Sequence, residues 1–334
     1  MRGKGINYDT GFSPGGRLSR EDFDPAIVRR EMQVIAGELG CTAVRVSGGD
    51  PARLSLAAQH AADAGLEVWF APFPCELTTA ELAPLFAECA DRAERLRRRG
   101  ARVVLVAGCE LSLFASGFLP GGSLYERLGR LGTLDQELKA AFGALPGRLN
   151  GFLAETAVMV RSRFAGPVSY ASGMWEPVDW TPFDIVAVDA YRDAGNAATY
   201  QSELRKYLGH GKPLAVTEYG CCGYAGAADR GGMGWAIIEL DGEPARLDGE
   251  YVRDEGEQAR YLRELNEVFE TEGVDLAFAF TFAGYGLVHD PVPRRDLDLA
   301  SYGLVRLLPG GPGTGYRGLG WEPKLGFRAL AALG

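Results

Sequence analysis

Runs of nonpolar residues alternate with amphipathic stretches along the whole 334-residue chain. The runs are Gly5–Asp9, Ala43–Gly48, Leu66–Pro72, Arg102–Ala107, Pro167–Ser172, Asp184–Asp189, Leu214–Glu218 and Leu276–Phe282. Most are continuous Val, Ile, Leu, Ala and Phe, the composition of a parallel strand covered on both faces. The spacing between them predicts helices over Pro25–Leu39, Pro51–Ala64, Thr79–Arg99, Leu134–Arg163, Thr199–Leu208 and Glu255–Glu272, with a last one over Lys324–Leu333. Asp24 before Pro25 and Asp50 before Pro51 set a capping carboxylate ahead of a proline at the first helical position, and Thr78 with Glu81 has the spacing of a capping box. Repeated strand-helix units of this kind close most simply into a single α/β domain, a (β/α)8 TIM barrel over residues 1–334. The alternative, a doubly wound sheet, carries a glycine-rich phosphate turn after its first strand, and Gly11–Gly16 (GFSPGG) lacks that spacing.

Three connections that follow strands are long: Leu111–Thr133, Cys221–Asp254 and Ala283–Glu322, after strands 4, 7 and 8. All three lie at the carboxyl ends of strands, the face on which barrels build their sites. Within the second, Trp235–Leu240 and Ala245–Val252 flank the turn residues Asp241 and Gly242. This predicts a β-hairpin flap at 235–252, approached through Gly231, Gly232 and Gly234 as a flexible lead.

A net charge of −9 opposes a nucleic-acid or anionic-membrane partner. No apolar run is long enough to span a bilayer. The first strand begins within a few residues of Met1, leaving no room for an export signal, so the chain is expected to be cytoplasmic with its six cysteines reduced. The abundance of Ala, Gly and Arg is the compositional habit of a bacterial, GC-rich genome.

The chemistry concentrates in two segments. Val103–Leu111 (VVLVAGCEL) and Pro213–Gly220 (PLAVTEYG) each run a buried strand into a glutamate, Glu110 and Glu218. A carboxylate at the rim of a core can have its pKa tuned, and two that converge can divide acid and nucleophile roles between them. Glycosyl transfer needs one group to protonate a leaving oxygen and one to capture an oxocarbenium-like centre, with retention requiring a separation of roughly 5 Å.

This pairing resembles the retaining (β/α)8 glycoside hydrolases of clan A, in which the glutamate after strand four is the acid/base and that after strand seven the nucleophile. The resemblance implies these roles for Glu110 and Glu218. It also implies that Arg45 (AVRVSGG) steadies the nucleophile and that Tyr191 (IVAVDAY) hydrogen-bonds it. Cys109 stands where the clan has an asparagine that contacts the sugar 2-hydroxyl. The clan's tryptophan near the end of strand eight is replaced by a region containing Thr281, Phe282 and Tyr285. Asp296–Leu304 (DLDLASYGL) and Trp321–Lys324 (WEPK) are similar to segments of bacterial barrel proteins labelled abortive infection proteins, a label that supplies no reaction.

Aromatic residues near strand ends, Tyr8, Phe73, Phe114, Trp175, Tyr219, Phe282 and Tyr285, are candidate platforms for a sugar or its aglycone, and Asp9 ends the first strand beside them. Asp9, Asp50, Glu76, Glu176 and Asp189 also crowd strand ends, where they could hold a divalent cation. The three histidines fall in no metal-binding spacing, so no metal and no cofactor are expected. Cys75, Cys109, Cys221 and Cys222 are expected near the mouth as small buried thiols. The expected partner is a small-molecule glycoside or glycosylated metabolite, with oligomeric state left open. Two further readings stand beside hydrolysis: a glycosidase-like barrel reused for elimination, isomerisation or cyclisation, and a catalytically silent barrel that binds a sugar or a protein.

Overall fold

The computed structural model describes residues 1–133, 135–239, 244–310 and 316–333. Eight parallel strands close into a barrel: β1 Gly3–Asp9, β2 Ala43–Gly48, β3 Glu67–Pro72, β4 Val103–Cys109, β5 Val168–Gly173, β6 Val186–Asp189, β7 Leu214–Tyr219 and β8 Leu276–Ala279. Strand β8 pairs with both β7 and β1, so no edge is left open. Around them lie α1 Pro25–Gly37, α2 Pro51–Asp63, α3 Thr79–Arg98, α4 Leu111–Phe114, α5 Leu124–Leu131, α6 Gln136–Arg161, α7 Tyr200–Leu208, α8 Glu255–Glu272 and α9 Leu325–Ala331.

The helix starts follow from local chemistry. The Asp24 carboxylate accepts from the Ala26 N–H at 2.7 Å, Asp50 accepts from Ala52 at 2.7 Å, and the Glu81 carboxylate accepts from the Thr78 N–H at 2.9 Å. The connection after β4, expected as plain loop, holds α4 and α5; Ser123 caps the latter by accepting from the Glu126 N–H at 3.2 Å. The start of the predicted helix at Leu134 lies outside the described residues, and α6 begins at Gln136.

Strand alternation sorts the core into two layers. Ile6, Tyr8, Val44, Val46, Val68 and Phe70 face the helices, while Ala43, Trp69, Val104, Ala187, Ala215 and Phe278 fill the lumen. Two irregularities break the alternation near the mouth. The β4–β5 register shifts between Val106 and Cys109, where Gly108 has φ +108° and a Cβ would come within 2.8 Å of Leu111. The β6–β7 register shifts so that Asp189 pairs with Glu218 while Val188 pairs with Val216, skipping Thr217. These shifts turn Cys109 and Glu218 toward the lumen.

In the connection after β7, Ile238–Glu239 pairs antiparallel with Arg246–Leu247. That pairing is shorter than the hairpin strands expected there, and the turn residues Asp241 and Gly242 lie outside the described residues. Its approach is not a free hinge. The Tyr302 hydroxyl donates to the Gly231 carbonyl at 2.6 Å and accepts from the Gly234 N–H at 2.9 Å, and a Cβ on Gly232 would come within 3.2 Å of the Tyr191 ring.

The C-terminal motifs act as braces. Arg253 pairs with Asp298 at 2.7 Å and Asp296 at 2.8 Å, Lys324 Nζ lies 2.7 Å from Asp298, and the Trp321 indole donates to buried Glu31 at 2.9 Å. No helix of the described residues is long and apolar enough to cross a membrane.

Candidate active site

The carboxyl ends of β2, β4, β6 and β7 bring Arg45, Cys109, Asp189 and Glu218 into one polar cluster. Arg45, only 1% exposed, projects inward two residues above Ala43, and its Nη1 lies 2.5 Å from Glu218 Oε1. The same nitrogen donates to Asn7 Oδ1 at 2.9 Å, and Asn7 Nδ2 donates to the Thr217 carbonyl at 2.8 Å. Asn7 thus ties the arginine to the irregular part of β7 that carries Glu218. The Tyr191 hydroxyl donates to the other oxygen, Glu218 Oε2, at 2.9 Å. Both oxygens of Glu218 therefore receive a donor, one of them a buried cation.

Cys109 donates its S–H to Asp189 Oδ2 at 3.4 Å and lies 3.9 Å from Glu218 Oε1. Burial pushes this thiol well above its ordinary pKa, with Asp189 adding to the effect. It is a neutral donor, not a thiolate. Burial and the charge of Glu218 push Asp189 up to about 8. Glu110 follows β4 in a left-handed turn, φ 41° and ψ 45°. Desolvation of its carboxyl raises its pKa well above the carboxylate range, and Asp189, Glu218 and Glu176 raise it further against the opposing pull of Arg45. The site therefore holds one carboxylate, Glu218, that accepts two strong hydrogen bonds, and two buried carboxyls, Glu110 and Asp189, whose pKa values are raised.

Cys109, Asp189 and Glu218 each offer a ligand atom within 4.8 Å of the others. The donor set does not suit a metal as it stands. The Arg45 guanidinium, in contact with Glu218, already supplies the positive charge, and the thiol is held protonated.

The barrel built on these strands is like those of glycoside hydrolases. Among solved structures it is similar to a GH113 β-1,4-mannanase, at TM-score 0.65 and 14% identity over 99% of this chain and 98% of that one. The GH113 β-mannanase AaManA from Alicyclobacillus acidocaldarius, in complex with ManMIm, matches at TM-score 0.60 and 15% identity over 98% and 95%. Cel5A of Thermotoga maritima, in complex with mannotriose, matches at TM-score 0.52 and 13% identity over 90% and 97%. At such identities the likeness is one of fold. No family model matches the chain, and no curated protein does.

Several residues expected at the mouth lie elsewhere. Tyr8 is fully buried on the helix side of β1, its hydroxyl 2.5 Å from Glu31, because the inward phase of that strand belongs to Asn7. Tyr219 follows Glu218 and so points outward, packing edge-on against Phe269 of α8 at 4.9 Å between ring centroids. Phe282 is fully buried between Tyr8 and Trp321, at 6.0 and 5.4 Å. Asp9 is consumed by its own loop: it accepts from the Gly11 N–H at 2.7 Å, while Arg20 holds its backbone carbonyl at 2.9 Å. Cys221 and Cys222 are buried in the helix-facing layer, leaving Cys109 as the cysteine of the lumen. All six cysteines are unpaired.

Other aromatic residues remain in position. Trp175, half-exposed, lies over Gly173 at the end of β5, so close that a Cβ there would come within 2.5 Å of the indole. Phe12, Phe73 and Phe114 pack against the lumen cluster, with centroids 5.1 and 4.7 Å apart in sequence. Phe280, missed by the sequence reading, is half-buried and meets Tyr191 edge-on at 6.3 Å. Asn7 was also missed, although its two-residue spacing from Asp9 gave the phase. Asp189 was considered only as a possible cation ligand, yet it shares the cluster with Glu218.

Proposed function

We propose that this protein hydrolyses a glycosidic bond in a small glycoside with retention of configuration, Glu218 acting as nucleophile and Glu110 as general acid/base. The observation that carries the reading is the pairing of Glu218 with Arg45 at 2.5 Å and Tyr191 at 2.9 Å, beside a Glu110 whose pKa burial and neighbouring carboxyls raise. Protonated Glu110 would deliver its proton to the leaving oxygen as Glu218 attacks the anomeric carbon. The glycosyl-enzyme ester would then be hydrolysed by a water that Glu110, now ionised, deprotonates. Trp175 and Phe280 are proposed as stacking surfaces for the sugar face, and the loops after β4, β7 and β8 as the walls that favour a short substrate over a polymer. The mannanase neighbours make β-mannosides the first substrates to try.

A second reading rests on Cys109 and Asp189. A buried thiol bonded to a third carboxyl is an unusual partner for a sugar hydroxyl, and it favours a related acid/base reaction on a glycosylated metabolite, in which Glu110 and Asp189 exchange protons without hydrolysis. A panel of aryl glycosides separates the two. Turnover of at least one glycoside, abolished in Glu218→Gln, supports hydrolysis. Binding without release of the aryl alcohol, from every member of the panel, would reject it.

A further inference from the structure

Glu110 is one of two non-glycine residues with positive φ among the described residues, the other being Glu76. A left-handed conformation in a side-chain-bearing residue is strained and persists only where the surroundings impose it. Here three consecutive N–H groups are each bound to β5 or the loop that follows it. The Glu110 N–H donates to the Ala171 carbonyl at 2.8 Å, the Leu111 N–H to the Tyr170 hydroxyl oxygen at 2.8 Å, and the Ser112 N–H to Glu176 Oε1 at 3.0 Å. The Tyr170 hydroxyl in turn donates to Glu176, whose oxygens lie 2.9 and 3.1 Å away. Tyr170 is fully buried and Glu176 is 6% exposed. Burying a carboxyl is costly, and this one spends its hydrogen bonds on the turn that begins at Glu110 and on the tyrosine holding the same turn.

We propose that Glu176, acting with Tyr170, is the positioning residue for Glu110: the pair locks the turn that carries the Glu110 carboxyl and sets a further acidic group behind it. The inference rests on reading Glu110 as the acid/base and extends it to residues outside the cluster. The charged groups that act on the Glu110 carboxyl are Asp189 of β6, Glu218 of β7, Glu176 after β5 and Arg45 of β2. Of the three carboxyls, Glu176 is the one bonded to the backbone of Glu110's own turn. Two roles follow and can be separated, one electrostatic and one geometric.

The test uses the full chain with Glu176→Gln, Tyr170→Phe and Glu110→Gln. In protein labelled with 13C at glutamate carboxyls, the Glu110 resonance is identified by its loss in Glu110→Gln and titrated in the other two. Glu176→Gln keeps an oxygen for the Ser112 N–H but removes the charge, so the Glu110 midpoint should fall by about one pH unit, with the alkaline limb of kcat/KM moving with it. Tyr170→Phe keeps the carboxyl but releases the Leu111 N–H. On a glycoside with a poor leaving group its kcat should fall roughly 10- to 100-fold with KM little changed, while an activated aryl glycoside is nearly spared. An unchanged midpoint in Glu176→Gln overturns the electrostatic role, and equal losses on both substrates in Tyr170→Phe overturn the geometric one. If Glu176→Gln does not fold, the substrate split in Tyr170→Phe decides the proposal. If the wild-type protein turns over no glycoside, the hydrolase reading fails, while the Glu110 titration still decides whether Glu176 governs its proton.

Discussion

The lower and upper halves of the lumen are built by the same strands with opposite chemistry. In the lower half, Ala43 of β2, Val106 of β4, Ala187 of β6 and Ala215 of β7 surround Trp69, which packs against Phe278 with ring centroids 4.9 Å apart. Further up the same strands the inward residues are Arg45, Cys109, Asp189 and Glu218. On β2 and β6 the change takes one inward step, roughly 7 Å of strand. Below, the one polar atom of the indole is satisfied by Glu67 at 2.9 Å. Above, Arg45 Nε and Nη2 and Asp189 Oδ1 are buried without a partner. An apolar layer stabilises the barrel, whereas burying charged and polar groups costs free energy. The contrast teaches that the fold is held from below, while the upper layer gathers charged and polar groups whose burial costs stability.

Substitutions should divide along the same line. The largest effect belongs to the upper half: Glu218→Gln should lower kcat on any accepted glycoside by at least about 1,000-fold, measured by aryl alcohol release, with the far-ultraviolet circular dichroism of a folded barrel retained. Next, Trp69→Ala in the lower half should cost about 3–5 kcal/mol in denaturant unfolding while the protein that remains folded keeps kcat/KM close to wild type. A comparable loss of activity per folded molecule would show that the two halves are not separable. Glu110→Ala should then reduce turnover of a poor-leaving-group glycoside by roughly 100-fold or more and spare an activated one. Because burial and neighbouring carboxyls raise the pKa of Glu110, its acid form persists above the ordinary carboxylate range and is lost as pH rises through the folded value, so the alkaline limb of the profile should disappear in this variant.

The smallest effect concerns stability. Asp189 is held neutral in the folded protein up to about 8, above its ordinary value of 3.8. The folded state therefore binds more protons than the unfolded state between those pH values. Its contribution to stability is fully present below pH 3.8 and declines as pH rises through about 8. Asp189→Asn, which cannot ionise, should raise the melting temperature by roughly 3 °C at pH 8.5 and by less at pH 5. An equal change at both pH values would mean that Asp189 does not titrate in this range.

The alternation of apolar runs and capped helices made the barrel legible, since each of the eight sheet strands falls within or beside a nonpolar run. Glu110 and Glu218 stood out because each ends such a run, whereas Arg45 and Tyr191 were singled out only through the resemblance to clan A. What the sequence hid was phase. The register shifts at Gly108 and Thr217 depend on how neighbouring strands pair, so Glu218 turns inward and Tyr219 outward with no local signal in TEYG. The same ambiguity placed Tyr8 at the mouth instead of Asn7, and Phe282 instead of Phe280. The glycines before the flap looked like a hinge because nothing in their own sequence shows that Tyr302, some 70 residues later, bonds to Gly231 and Gly234.

The most direct test of the account is mass spectrometry after incubation with a 2-deoxy-2-fluoro glycoside carrying a good leaving group. Slow turnover of the ester should leave one glycosyl mass on the protein, located by peptide mapping on Glu218, and Glu218→Gln should acquire none. An adduct on Glu110, Asp189 or Cys109, or release of the leaving group with no adduct on the protein at any time, would contradict the assignment of Glu218 as nucleophile.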